Sequence, residues 1–203
     1  VSACFPMSTL LSEELFSELF IYELGKRLGM RMAECRRGDH VLQSLDFTDG
    51  GAVILEHASS FMGDNDDYEA VLAALQGICP TAIPDYIRMI FLDTITANPD
   101  RHTSNFGLLR DADTGELLGL APLFDHNMAL ISRGYPKPFD SHRKDLLITL
   151  FQEVLAEHPA YRTYLPAVTE TMLQEAADAV HIRVRKKEIL TYVWERYRAL
   201  QAE

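Results

Sequence analysis

The run Asn98-Pro99-Asp100-Arg101-His102-Thr103-Ser104-Asn105 constrains this chain more than any other stretch. Apart from Pro99 it is polar throughout, yet apolar segments bracket it. Before it, Ile87, Ile90, Phe91 and Ile95 recur at helical spacing behind Pro84, a residue type favoured at the start of a helix. Asn98-Pro99 ends that helix, because a residue before proline avoids the α region. After it, Phe106–Arg110 and Leu117–Phe124 read as two short strands around the turn Asp111–Glu116. The fold must therefore hold a polar loop between a buried helix and a hairpin, the kind of place that carries function on a rigid frame. The second strand runs into Ala121-Pro122-Leu123-Phe124-Asp125, and a carboxylate that closes an apolar strand is costly to bury.

The flanks set the class. Leu15, Phe16, Leu19, Phe20, Leu24 and Leu28 form one apolar stripe of a helix over Ser12–Leu28, with Ser12 as its cap and Gly29 as its stop. Arg31–Arg37 and His40–Phe47 pair as a hairpin around Gly38-Asp39, and Ala52–His57 is a short apolar strand or extended segment. Tyr68, Val71, Leu72 and Leu75 share a helix face ending near Gly77. Further helices are expected at roughly 142–157, 167–180 and 182–201. That order predicts an α+β fold dominated by helices. Glycine and aspartate gather over 48–65, so the chain is divided into residues 1–47 and 48–203.

Composition narrows the partners. A net charge of -11, from 30 acidic and 19 basic residues, opposes direct nucleic-acid binding and attraction to anionic membranes. Arg183, Arg185, Lys186 and Lys187 cluster on a late helix and read as a solvated face. Trp194 and Tyr197 share a helix face and read as core. The 3 cysteines, Cys4, Cys35 and Cys79, are widely spaced with no C-x-x-C, which opposes a disulfide framework or zinc site and fits a reducing, cytoplasmic setting. No apolar run is long enough to span a membrane, and the N-terminal residues lack the pattern of a signal peptide.

The polar loop and the strand-end aspartate together have the residue types that phosphoryl transfer needs. One carboxylate must orient and accept the proton of an attacking hydroxyl, while a second, with a neutral oxygen donor, holds magnesium against phosphates. Asp100 and Asn105 supply the first carboxylate and the neutral donor, and Asp125 the second carboxylate. The hairpin's two strands begin and end at one edge, so Asn105 and Asp125 can converge. Taken singly, Asn98-Pro99-Asp100 is also ordinary turn chemistry, and Asp125 is also a plausible cap.

Asn98-x-Asp100-Arg101-His102-x-x-Asn105-Phe106-Gly107, followed by Ala121-Pro122-Leu123-Phe124-Asp125, resembles the HipA-like and CtkA-like bacterial Ser/Thr kinases. The D-R-H-x-x-N piece is also similar to the phosphatidylinositol kinases. The resemblance implies the C-terminal lobe of a protein-kinase-like fold, with a short hairpin remnant of the small lobe. It implies ATP and Mg2+ as cofactors, Asp100 as catalytic base, and Asn105 and Asp125 as metal ligands. His102 would steady the loop or touch phosphate; an ordinary loop hydrogen bond serves equally. Leu45, Asp46 and Phe47 would border the adenine, with Ile54-Leu55-Glu56-His57 as the rival hinge. Glu14 or Glu18 would partner a strand lysine, or both are solvated helix charges.

The resemblance leaves the phosphoacceptor open: a protein Ser or Thr first, a lipid or small molecule otherwise. The alternative class is a non-catalytic kinase-like interaction module. Two departures stand out. Asp125-His126-Asn127 replaces D-F-G, and nothing before the first helix supplies G-x-G-x-x-G or a lysine ahead of Lys26. The chain alone is therefore expected to bind ATP weakly, and to self-associate through apolar residues of the Ser12–Leu28 helix that a small lobe would cover.

Overall fold

The structure is a computed structural model that describes residues 4–6, 11–38, 41–140 and 143–201. The elements in chain order are β1 (Cys4–Pro6), α1 (Ser12–Arg27), β2 (Cys35–Arg37), β3 (Leu42–Leu45), β4 (Val53–His57), α2 (Ser59–Met62), α3 (Tyr68–Ile78), α4 (Ile83–Thr96), β5 (Gly107–Asp111), β6 (Leu117–Leu120), α5 (Leu146–Glu157), α6 (Glu170–Ala179) and α7 (Lys186–Gln201). The fold is α+β with helices dominant, as the periodicities predict.

Two small antiparallel sheets lie on either side of the segment 46–52. In the first, of order β1-β3-β2, Cys35 pairs with Ser44 and Arg37 with Leu42. That is the expected hairpin; its turn residue Asp39 and His40 lie outside the described residues. In the second, of order β4-β5-β6, Val53 pairs with Asp111 and His57 with Gly107. Thus β4 is a full partner of the expected hairpin. Gly107 is dictated by this pairing: a Cβ there would sit 2.2 Å from the Glu56 carbonyl oxygen. Leu123 joins the two halves, since its amide donates to the Arg31 carbonyl at 2.7 Å and its carbonyl accepts from the Ala33 amide at 2.8 Å.

Helix α4 is the axis of the larger half. Eleven of its residues are buried, including Ile87, Ile90, Phe91 and Ile95, and α5, α7 and α3 pack around it. It ends at Ala97 in the left-handed region, which turns the chain directly into Asn98-Pro99. Buried Arg196 of α7 donates from Nε to the Thr94 carbonyl at 2.8 Å and forms a two-pronged ion pair with Asp145, the cap of α5. Trp194 and Tyr197 pack at 5.5 Å, with Tyr197 edge-on to Phe91; both are partly buried and lie against the core. Arg185 pairs with Glu188 at 2.8 Å and lies over the Tyr135 ring, and Lys186 is 3.8 Å from Asp178.

Helix α1 departs from expectation in two ways. Its N-cap is Leu11, not Ser12, and the Glu14 carboxylate accepts from the Leu11 amide at 2.9 Å. Leucine has no side-chain acceptor, so only that half of a capping box forms. More important, Leu15, Phe16, Leu19, Phe20, Ile21, Leu24 and Leu28 are all buried. The expectation of uncovered apolar residues on this helix is corrected: α6 and β2 pack against it and close the stripe. That removes the argument for self-association through this face.

Candidate active site

The loop between α4 and β5 is built around one buried guanidinium. Arg101 is 9% exposed. Its Nε donates to Asp93 Oδ2 at 2.8 Å and its Nη2 to Asp93 Oδ1 at 3.1 Å, so the two planar forks meet face to face. Nη1 of the same group donates to the Asn105 carbonyl at 2.6 Å and to the Phe124 carbonyl at 2.8 Å. One nitrogen thus ties the end of the loop to the residue before Asp125. Asp93 also accepts from Asn98 Nδ2 at 2.8 Å, and Asn98 Oδ1 accepts from the Asp100 amide at 3.1 Å. The loop is fixed to α4 at both ends of its turn.

The three residues singled out for chemistry are brought to one place. Asn105 is buried, and its Nδ2 donates to the Asp100 carbonyl at 2.9 Å. That bond fixes the orientation of the amide and so the direction of its acceptor, Oδ1. The strand expected to run to Phe124 ends at Leu120, and Asp125, five residues on, is half-buried with φ +60, a conformation uncommon for residues other than glycine. Its carboxyl is pushed above the ordinary value, first by burial and then by the Glu18 carboxylate; Arg101 and His126 oppose the shift, and Asp100 adds to it. The charges of Asp100, Glu18 and Arg101 are therefore all felt at Asp125.

A carboxylate, an amide oxygen and a second carboxylate make a hard, all-oxygen donor set, which suits magnesium and not a soft metal. Asp125 and the Asn105 Oδ1 would hold the ion, with Asp100 beside them.

His102 is exposed; its Nδ1 accepts from the Ser104 amide at 3.2 Å, which is the loop hydrogen bond allowed for it. Around the site, Phe47 stacks on Phe124 with centroids 6.0 Å apart, and His57 meets the same ring edge-on at 6.5 Å. Both rival hinge segments therefore touch Phe124. Leu45 lies in β3, and its amide donates to the Glu34 carbonyl. The Asp46 carboxylate accepts from the Thr48 hydroxyl and amide, bonds that lower its pKa. One of its carboxylate oxygens is thus occupied with its own turn.

Glu18 and Glu14 are told apart. Glu14 is the cap described above. Glu18 is buried, and its Oε2 accepts from the His126 backbone amide, with Oε1 3.7 Å from His126 Nδ1. Among the described residues no lysine or arginine pairs with it. This tether between α1 and the residue after Asp125 was invisible in the sequence, because its partners are 108 positions apart. The Arg101–Asp93 pair was also missed. Its only trace is an aspartate on the otherwise apolar face of α4, which burial makes expensive unless it is paired.

The family model of HipA-like C-terminal domains matches residues 5–187. Among solved structures, the Helicobacter pylori proinflammatory kinase CtkA aligns at 18% identity over 93% of this chain and 88% of its own, with a TM-score of 0.67. The Shewanella oneidensis toxin–antitoxin protein HipA, solved with HipB and its operator DNA, aligns at 15% identity over 93% of this chain and 58% of its own, with a TM-score of 0.45. The first of these likenesses shows a shared fold. No curated protein sequence matches the chain.

Proposed function

We propose, for a chain that belongs to the family of HipA-like C-terminal domains, that it is the catalytic lobe of a phosphotransferase moving the γ-phosphoryl of ATP to a Ser or Thr hydroxyl of a protein. The observation that supports this reading is the Arg101 guanidinium, which binds the Asn105 and Phe124 carbonyls, beside an Asn105 side chain that donates to the Asp100 carbonyl.

In this reading Asp100 accepts a hydrogen bond from the acceptor hydroxyl, aims its oxygen at the γ-phosphorus and takes its proton. The new O–P bond forms as the bond to the β–γ bridging oxygen breaks, and ADP leaves. Asn105 Oδ1 and the Asp125 carboxylate would hold magnesium. When bound, that ion would supply positive charge against the phosphates. Phe124 and Phe47 give an apolar wall on which adenine would rest, with the Leu45–Phe47 backbone along its edge. His102 steadies the loop. We divide the chain into 1–47 and 48–203 and place it in the cytoplasm.

The interaction-module reading has one observation in its favour: none of the lysines, Lys26, Lys137, Lys144, Lys186 and Lys187, lies in the β1-β3-β2 sheet. Labelled-phosphate transfer from ATP to a degenerate Ser/Thr peptide library separates the two. Phosphotransfer requires that Asp125→Ala abolish metal-dependent transfer. Asp100→Ala should slow it by about 10²-fold or more while sparing nucleotide binding. Undiminished transfer in Asp125→Ala would sink the assignment.

A further inference from the structure

Beside the catalytic loop runs a groove of about 360 Å³, between the start of α3 and the outer face of α5. Asn98 and Pro99 form its edge, so it opens next to Asp100 in the chain. Asp66, Asp67, Glu69, Glu153 and Glu157 line it. The one cation on its wall, Arg101, is already committed to Asp93. Among the described residues no lysine or arginine pairs with any of the five carboxylates; Asp67 caps α3, and Glu69 meets only His158, at 2.9 Å. One Glu69 oxygen is buried without a partner.

A second feature, independent of these charges, adjoins the groove. Helix α5 exposes Leu146, at 70%, and Leu150, at 36%, with Leu147 between them. A helix that buries Ile148, Phe151, Val154 and Leu155 on its inner side has no packing reason to show a second leucine row.

Resting on the phosphotransferase reading, we propose that this groove is the substrate-docking surface, and that its occupant is a polypeptide segment with arginine or lysine on one side of the acceptor Ser or Thr and an apolar residue nearby. The basic side chains enter the acidic groove, the apolar one covers Leu146 and Leu150, and the hydroxyl reaches Asp100. Negative potential in a walled groove attracts such a segment and rejects an acidic one.

The test needs no catalysis. A fluorescein-labelled dodecapeptide with a central serine, two arginines before it and a leucine after it is titrated with the full chain, alongside a copy with glutamates for the arginines. The arginine peptide should bind about tenfold more tightly. The triple variant Asp66→Asn/Glu153→Gln/Glu157→Gln changes only exposed side chains and should remove most of that preference. Leu150→Ser should weaken both peptides. Equal binding of the two peptides, or a triple variant that binds like the wild type, overturns the proposal. Tight, charge-selective binding without phosphate transfer in ATP and magnesium supports the docking surface and counts against the phosphotransferase reading alone.

Discussion

Replacing Arg101 by methionine, which keeps much of the volume and none of the charge, isolates the bond that organises the site. The change leaves Asp93, 1% exposed, as a buried carboxylate whose remaining side-chain partner is Asn98. It also strips a charged donor from the Asn105 and Phe124 carbonyls. Breaking a buried pair from one side costs about 3–5 kcal/mol. The lost carbonyl bonds belong to the same deletion and do not add in full, so about 4–5 kcal/mol is the working figure. Against a net stability of about 5–15 kcal/mol that is a large fraction. At about 2–4 °C per kcal/mol for a chain of this size, the midpoint should fall by about 10–15 °C in thermal unfolding followed by circular dichroism. Adding Asp93→Asn removes the stranded charge, so the double variant should recover part of the loss. Lys26→Met, which breaks an exposed pair with Glu23, should cost no more than about 1 kcal/mol. An Arg101→Met midpoint within about 3 °C of wild type, or no recovery in the double variant, would refute the reasoning.

Gly107→Ala places a Cβ against the Glu56 carbonyl and must push β4 from β5; a loss of about 2–3 kcal/mol in urea unfolding is expected, and a neutral result would mean the two strands are not so close. Asp125 is raised by burial and by Glu18, so its folded form resists ionisation; its stabilising contribution is present at low pH and lost as pH rises through the raised value. Asp125→Asn should therefore melt above wild type at pH 7, with the gain closing below pH about 4; a lower midpoint at pH 7 would contradict this. Isothermal titration should show ATP–magnesium binding to this chain weaker than micromolar, because no lysine of the β1-β3-β2 sheet meets the triphosphate. Micromolar or tighter affinity would show that the carboxylate site suffices.

Local signals made the loop legible. Pro99 sets where α4 ends, the apolar period sets its buried face, and the two short strands after Asn105 determine that Asp125 returns to the same edge. What could not be read is what two distant segments do to each other. The pairing of β4 with β5 joins residues 54 positions apart, as at Leu55 and Leu109, so 52–57 alone could be strand or extended segment. Glu13, Glu14, Glu18 and Glu23 look alike on a helical wheel. Only the folded chain shows that Glu14 caps the helix while Glu18 is carried inward to the His126 amide. The apolar stripe of α1 was plain in the sequence, but its cover, α6, lies about 150 residues away, and periodicity names no partner.

The central claim is that Asp100, Asn105 and Asp125 form one nucleotide–metal site. Paramagnetic broadening tests it most directly, since it reads position even when affinity is weak. The chain is labelled with ¹⁵N and titrated with ATP and a trace of Mn2+ in place of magnesium. Signals of Asn105, Asp125 and His126 should broaden first, and Asp125→Ala should abolish the effect. Glu69, Glu157 and His158, whose ligand atoms lie within 4.8 Å of one another, form the competing cluster among the described residues. Broadening centred there, with Asn105 and Asp125 untouched, would contradict the account.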